Sequence, residues 1–346
     1  MKKKLRIAFF SHNSGCYGAE RSLLELIGGV LKKRYAEPYL IVPAEGELAE
    51  EARKAGIPVH VAGYCQPQWV STEENRFKPL SVYRRDLIRT MKMVEDKLVP
   101  RLRELGIDAV YTQTLVIPWG AYCAARLEIP HVLGVREYGV ADHAFRFLAG
   151  YENSLNALVA DSVLSCFITQ DVKREILSRC SREPAGRTFV AGSSVSFPAM
   201  WTSHCFPLFL PRSPQQPFRI YLPGRIRETK GQLYAVEAAA ILKRSGIPVL
   251  LELQGGAEKP YRRRIEQRIR TLHLEEQVKL LPQVKNVFPQ IAQCDVLLSA
   301  SRCEALGRTL LEAALMNVPI LFADSGGPAG VFRNAAGDRG MLREQG

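Results

Sequence analysis

An α/β protein of two doubly wound domains, each a mostly parallel sheet with helices on both faces, is predicted by three features of the 346-residue sequence. Short β-branched or aromatic runs alternate with stretches of helical period almost from end to end. The alternation is interrupted once, at residues 194–217, SVSFPAMWTSHCFPLFLPRSPQQP, which carry five prolines and no helical period. It then resumes, and the length suits two units with separate cores. The expected organisation is a first domain at 1–193, a linker at 194–217 and a second domain at 218–346.

LRIAFFSH (5–12) opens the first domain. Basic residues followed by an apolar run resemble a signal peptide, but the run is short and lacks a small-residue cleavage site, so it reads as a strand. NSGCYG then leads into AERSLLELIGGVLKKR, where Leu23, Leu26, Ile27, Val30 and Leu31 recur at helical spacing. Further strands are expected at PYLIVP (38–43), IPVHVA (57–62), AVYTQT (109–114), HVLGVR (131–136), ALVADS (157–162) and TFVAGS (188–193). Between the second and third of these lies a long helical stretch, 76–106, with nine basic and four acidic residues. Its Arg84, Arg85, Arg89, Lys92 and Arg101 set against Leu87, Ile88, Met91 and Leu98 form an amphipathic pattern that could rest on anionic lipid, although a solvated charged face is the plainer reading. The second domain reads as RIYLPG (219–224), a helix from Gly231 to Gly246, VLLELQGG (249–256), a helix at 260–274, VKLLPQ (278–283), DVLLSAS (295–301), a helix within SRCEALGRTLLEAALMN, and PILFAD (319–324) followed by SGGPAG.

The 47 basic residues exceed the 35 acidic ones by 12, which favours an acidic partner such as nucleic acid, an anionic membrane face or a phosphorylated ligand. The excess is spread over both halves and no nucleic-acid motif accompanies it, so no specific nucleic acid is expected. Eight cysteines without a C-x-x-C pair read as thiols of a reducing, cytoplasmic compartment. No run approaches the roughly 20 apolar residues of a membrane span, so membrane contact is expected to be peripheral.

In open α/β sheets ligands bind beyond the carboxyl ends of the strands, and three such loops of the second domain carry suitable chemistry. In LPGRIRETKGQ, Gly224, Arg225 and Lys230 precede a helix, which suits a diphosphate; a solvated basic loop is the alternative. In the next, CEALGRTLLEAAL (303–315), Gly307 allows close approach to the backbone and amides near Leu306, Gly307 and Arg308 face the same edge. Leu311, Ala314 and Leu315 are expected as the buried helix face with Glu312 beside it. Eight residues of helix span about 12 Å, so Glu304 and Glu312 could both accept hydrogen bonds from hydroxyls of one ligand. Alternatively Glu312 pairs with Arg308 one turn earlier. The glycine-rich SGGPAG turn adds backbone donors.

The ordered series G-R-x4-K-G (Gly224, Arg225, Lys230, Gly231), E-A-L-G-R-T-L-L-E (Glu304 to Glu312) and S-G-G-P resembles the donor half of retaining glycosyltransferases of the GT-B fold, family 4. The looser Y-G-A-E-R-S-L-L at 17–24 extends the resemblance into the first half. It implies two Rossmann-like domains facing a central cleft, and a donor of nucleotide-diphosphate sugar, UDP- or GDP-linked, with no other cofactor. Arg225 and Lys230 would neutralise the diphosphate, Glu304 would hold hydroxyls of the transferred sugar and Glu312 the ribose. Amides at Leu306 and Gly307 would complete the phosphate site, and Gly15 and Gly18 would let the loop of the first domain close over it. No D-x-D occurs in the chain, so no metal clamp is expected.

The resemblance also implies a sugar or lipid-linked acceptor, in polysaccharide or glycolipid synthesis, on the first domain. Where the family often has a histidine, this chain has Arg136 and Glu137, with His143 a few residues on; these are the expected acceptor-side or sugar-side groups. Pro282 stands where the family usually has glycine near the base. The chain stops soon after GMLRE, earlier than the family generally does, which suggests a shortened C-terminal end. A nucleotide-sugar epimerase of the same fold is the enzymatic alternative, and a basic nucleic-acid-binding protein the non-catalytic one.

Overall fold

The computed structural model of the chain describes residues 4–64, 70–71, 79–193, 195 and 216–336. Contacts divide it into two units, Met1–Ser194 and Val195–Gly346. Most of the expected linker, 194 and 196–215, lies outside the described residues, as do 76–78 of the basic helical stretch.

The first unit is built on a seven-stranded sheet of β1 (Leu5–Phe10), β2 (Ala36–Val42), β3 (Val59–Val61), β5 (Ala109–Gln113), β6 (His131–Val135), β8 (Leu164–Phe167) and β9 (Arg187–Val190), ordered β3-β2-β1-β5-β6-β8-β9. All its pairings are parallel. Successive side chains of a strand point to opposite faces, and β1 shows the consequence. Phe9 joins a core with Leu23, Ile27, Leu40 and Leu48 beneath α1 (Gly18–Lys33) and α2 (Glu47–Lys54), while Phe10 joins another with Ile41, Tyr64, Leu98 and Trp119. A small antiparallel pair, β4 (Val70–Ser71) with β7 (Arg146–Phe147), stands apart.

Two readings of this unit need correction. ALVADS is not a strand: helix α7 (Tyr151–Leu155) continues as a π-helical turn, Asn156–Ala160, and the strand begins at Leu164. Leu155, Leu158 and Val159 are buried, so the short apolar run is the inner face of a helix, which periodicity alone does not distinguish from a strand. The basic stretch folds as α3 (Leu80–Met93), a π-helical segment (Val94–Leu98) and α4 (Val99–Glu104). Its buried seam runs through Tyr83, Thr90, Val94, Leu98 and Leu102. Ile88 and Met91 lie outside this seam, 62% and 42% exposed, on a surface shared with Arg84, Arg85, Arg89 and Lys92. Among the described residues no helix is long and apolar enough to cross a membrane.

The second unit carries a five-stranded sheet of β10 (Phe218–Pro223), β11 (Val249–Gln254), β12 (Val278–Leu281), β13 (Val296–Ser299) and β14 (Ile320–Phe322), all parallel and ordered β12-β11-β10-β13-β14. Helices α9 (Gln232–Arg244) and α10 (Lys259–Thr271) cover a core of Leu222, Val236, Leu251, Leu253 and Ile265. On the other face Tyr221, Leu297, Leu310, Ala313 and Phe322 pack with α12 (Arg308–Leu315) and α13 (Gly327–Ala336), after α11 (Phe288–Gln293). The strand order reverses between β10 and β13. A doubly wound sheet opens its ligand crevice at such a switch point, beyond the carboxyl ends of the strands.

Candidate functional site

The loop after β10 makes a 3-10 turn at Glu228–Lys230 and enters α9 through Gly231, whose φ is +67°. A Cβ there would lie 1.9 Å from the carbonyl oxygen of Ala300, so only glycine lets this loop press against the end of β13. Three contacts follow from that approach. The Arg302 amide donates to the Thr229 carbonyl at 3.0 Å, Lys230 Nζ donates to Glu304 Oε2 at 2.6 Å, and Ser301 Oγ donates to the same oxygen at 3.0 Å. The loop after β14 joins on the other side: Glu304 N donates to Ser325 O, and Gly327 N to Glu304 O, both at 2.9 Å. The three loops singled out in the sequence thus form one hydrogen-bonded assembly around Glu304.

Burial works against charge on the Glu304 carboxyl. The adjacent Lys230 ammonium and hydrogen bonds from Lys230, Ser301 and Gly307 together outweigh it, so the carboxyl is held below the usual carboxylate range. Its other oxygen, Oε1, accepts the Gly307 amide at 3.2 Å. This corrects one expectation: the Gly307 N–H is engaged by Glu304. A carboxylate offers about four lone-pair sites, and these contacts occupy three. One acceptor site on Glu304 and two donor positions on Lys230 are left for a ligand.

Glu312 sits on α12, 4% exposed, with Arg308 Nε donating to Oε1 at 3.2 Å. The pairing weighed as an alternative in the sequence therefore forms. The helix is also turned differently from expectation. Leu310, Ala313 and Met316 are buried with Glu312, while Leu315 is 54% exposed. The inward face follows the packing of Leu310 and Ala313 beneath β13 and β14 rather than the three most conspicuous apolar letters. Gly307 begins the helix at φ +75° and Leu306 is buried beside it. Gly224 follows β10, and Arg225, on the exposed rim, has Nε 3.7 Å from Glu258 Oε1.

In the first unit, Gly15 lies in a loop held by Asn13, whose Oδ1 accepts from the amides of Ser14 and Gly15 at 2.8 and 3.2 Å. Gly18 begins α1 with open space where a Cβ would stand. Sequence reasoning passed over Glu20 of the same YGAERS segment. It is buried, its Oε2 accepts the Tyr17 amide at 3.2 Å, and its Oε1 lies 3.2 Å from His12 Nδ1. The available signal was an acid three residues past the residue before a helix, the mark of a capping box. Burial lowers the His12 pKa despite the nearby Glu20.

Arg136 and Glu137 follow β6. Arg136 Nη2 donates to Ser193 Oγ at 3.0 Å. Glu137 is 5% exposed and accepts the Leu115 amide at 2.6 Å. His143 stacks on Phe145 with ring centroids 4.9 Å apart, and its Nε2 lies 3.6 Å from Asp142 Oδ2. Among the described residues, no three of His, Cys, Asp and Glu gather as a metal-ligand group.

Residues 210–346 match the family model described as glycosyl transferases group 1. No curated protein sequence matches the chain significantly. Among solved structures, Anabaena HepE in complex with UDP-glucose superposes with a TM-score of 0.67 at 20% identity, covering 93% of this chain and 81% of that one. Sucrose-phosphate synthase from Thermosynechococcus elongatus gives 0.67 at 14% identity, with 93% and 82% covered. WaaG, a glycosyltransferase involved in lipopolysaccharide biosynthesis, gives 0.64 at 17% identity, with 95% and 84% covered.

Proposed function

Starting from a chain with a glycosyl transferases group 1 domain on a GT-B fold, hence a transferase, we propose a retaining, metal-independent glycosyltransferase of family 4. It moves a sugar from a nucleotide-diphosphate donor to a hydroxyl acceptor. The Lys230–Glu304 contact carries this reading, because it brings a cation and an acceptor carboxylate from separate loops to one point on the ligand edge of the second sheet.

In this reading Lys230 turns its remaining donors to the diphosphate and shares the charge that develops on the leaving group, with Arg225 closing in from the rim. Glu304 accepts from a hydroxyl of the transferred sugar. Glu312, held by Arg308, takes the ribose, and the amide of Leu306 and the turn at Gly224 line the phosphate path. With no D-x-D segment, the cations and backbone donors stabilise the leaving diphosphate. Attack occurs on the face from which the diphosphate departs, through an oxocarbenium-like state, and the departing phosphate takes the acceptor proton. No enzymic nucleophile is required.

UDP is the favoured nucleotide because HepE, of the same fold, was solved with UDP-glucose; GDP is the second choice. The first unit holds the acceptor, with Arg136 and His143 on the acceptor side and Gly15 and Gly18 giving the loop before α1 its freedom to close on a ligand. A lipid-linked sugar or growing polysaccharide fits the exposed surface of Arg84, Arg85, Ile88, Arg89, Met91 and Lys92, which pairs cationic and apolar groups as an anionic cytoplasmic leaflet requires. The protein is then a cytoplasmic, peripherally bound enzyme.

A thermal-shift comparison of UDP-, GDP- and ADP-sugars tests the donor, since a selective ligand raises the melting temperature by mass action. NMR of the product should show the anomeric configuration of the donor retained. Conversion of the donor to an epimer without acceptor would instead establish the epimerase reading.

A further inference from the structure

Thr114 ends the chain path of β5 with φ +83°. Other non-glycine residues of positive φ, such as Arg34 and Glu128 at helix C-caps, lie between +51° and +58°, the ordinary left-handed region. A β-branched residue at +83° is an outlier, and such strain persists only where the surroundings hold it. The three residues that follow, Leu115, Val116 and Ile117, are all buried.

The contacts that hold this turn are few and specific. Thr114 N donates to Gly134 O at 2.8 Å, Thr114 Oγ1 accepts the Val116 amide at 3.3 Å, and the Leu115 amide donates to Glu137 Oε1 at 2.6 Å. Glu137 stands on the neighbouring strand end, so the carboxyl bridges the loops after β5 and β6 at the ligand edge of the first sheet.

The charged and titratable groups acting on it are Arg136, Asp142, Tyr111 and Tyr151. None outweighs burial, which pushes the Glu137 carboxyl up to about 8; the Leu115 amide and Arg136 oppose the shift and Asp142 adds to it. An acid in such a place works against stability, and a leucine of similar size would not. Packing alone therefore does not account for it.

We infer that Glu137 is a positioning residue, whose carboxyl holds Thr114–Ile117 in a strained turn that shapes the acceptor side of the first unit. The inference rests on the reading above that this unit takes the acceptor. It adds that Glu137 acts through the loop rather than by touching the acceptor.

Hydrogen exchange across residues 114–118 of the full chain tests it without any substrate. Glu137→Leu should speed exchange there about tenfold or more while the melting temperature at pH 8 holds or rises, and Glu137→Gln, which keeps an acceptor oxygen, should restore protection. With a turned-over donor, Glu137→Leu should raise the acceptor KM and leave the donor KM unchanged. Unchanged exchange in Glu137→Leu, or exchange accelerated equally throughout the unit, overturns the inference. Should that variant not fold, the wild type supplies the readout. Protection of the Leu115 amide, corrected for intrinsic rate, should fall as pH climbs from the usual carboxylate range towards 8, because opening the turn rehydrates the buried carboxyl and favours its ionised form, and a flat profile overturns the inference equally. Loop exchange that behaves as expected in a protein that transfers no sugar would sink the transferase reading alone.

Discussion

Glu304 and Glu137 are both acids at the carboxyl edge of a parallel sheet, each accepting a backbone amide, yet they lie on opposite sides of the ordinary carboxylate pKa. Glu304 has Lys230 Nζ at 2.6 Å and is held low. Glu137 has an amide at 2.6 Å but no cation strong enough to offset its burial, and is pushed up to about 8. Burial alone raises a carboxyl; burial beside an ammonium makes a fixed anion. The first arrangement suits a group that must stay charged to meet a ligand, the second a group that shapes a loop.

The largest effect that would sharpen this contrast is on transfer. Lys230→Ala or Glu304→Ala should lower kcat by about 10² to 10³, the range for removing one charge-stabilising group from a site. Normal turnover in either purified variant would break the assignment. Each single change strands a buried charge, costing about 2–4 kcal/mol after discounting the 23% and 18% side-chain exposures from the 3–5 kcal/mol of a fully buried pair. The double variant Lys230→Met/Glu304→Leu should recover most of the melting temperature and none of the activity.

Gly231→Ala tests the approach that creates the pair. A left-handed φ and a 1.9 Å clash with Ala300 O should destabilise the second unit by about 3 kcal/mol, seen in chemical denaturation, and weaken donor binding with it.

The two acids should also pull stability in opposite directions with pH. The low folded-state pKa of Glu304 contributes stability above the unfolded carboxylate value, lost as pH falls through the folded value. The raised folded-state pKa of Glu137 contributes at low pH and is lost as pH climbs from the usual carboxylate range towards 8. Melting temperatures of the wild type should therefore decline between pH 6 and 8.5, and Glu137→Leu should flatten that slope while Glu304→Gln leaves it in place. The smallest effect belongs to Arg225. It is 54% exposed, and Arg225→Ala should weaken donor affinity only severalfold with no change in melting temperature.

Much of this was legible in the sequence where a physical pattern repeats. Strands at 5–10, 109–113, 131–135, 218–223 and 249–254 match the apolar runs to within a residue or two. The three loops that meet at Glu304 were visible because glycine, cation and acid follow strand ends. ALVADS failed because a short buried run carries no period, and α12 was turned wrongly because burial of Glu312 and exposure of Leu315 invert the hydropathy rule. The Lys230–Glu304 contact joins residues 74 apart, which no local pattern encodes. Nor can one letter reveal that Glu137 is buried under a strained turn, since its meaning lies in Leu115 and Thr114 on the adjacent strand end.

The most direct test of the central claim is a calorimetric titration of the intact chain with UDP-sugars, repeated on Lys230→Ala and Glu304→Ala. The account predicts saturable binding of at least one UDP-sugar to the wild type, weakened tenfold or more by each substitution. Failure of every UDP-, GDP- and ADP-sugar to bind the wild type, or equal affinity in all three proteins, would contradict it.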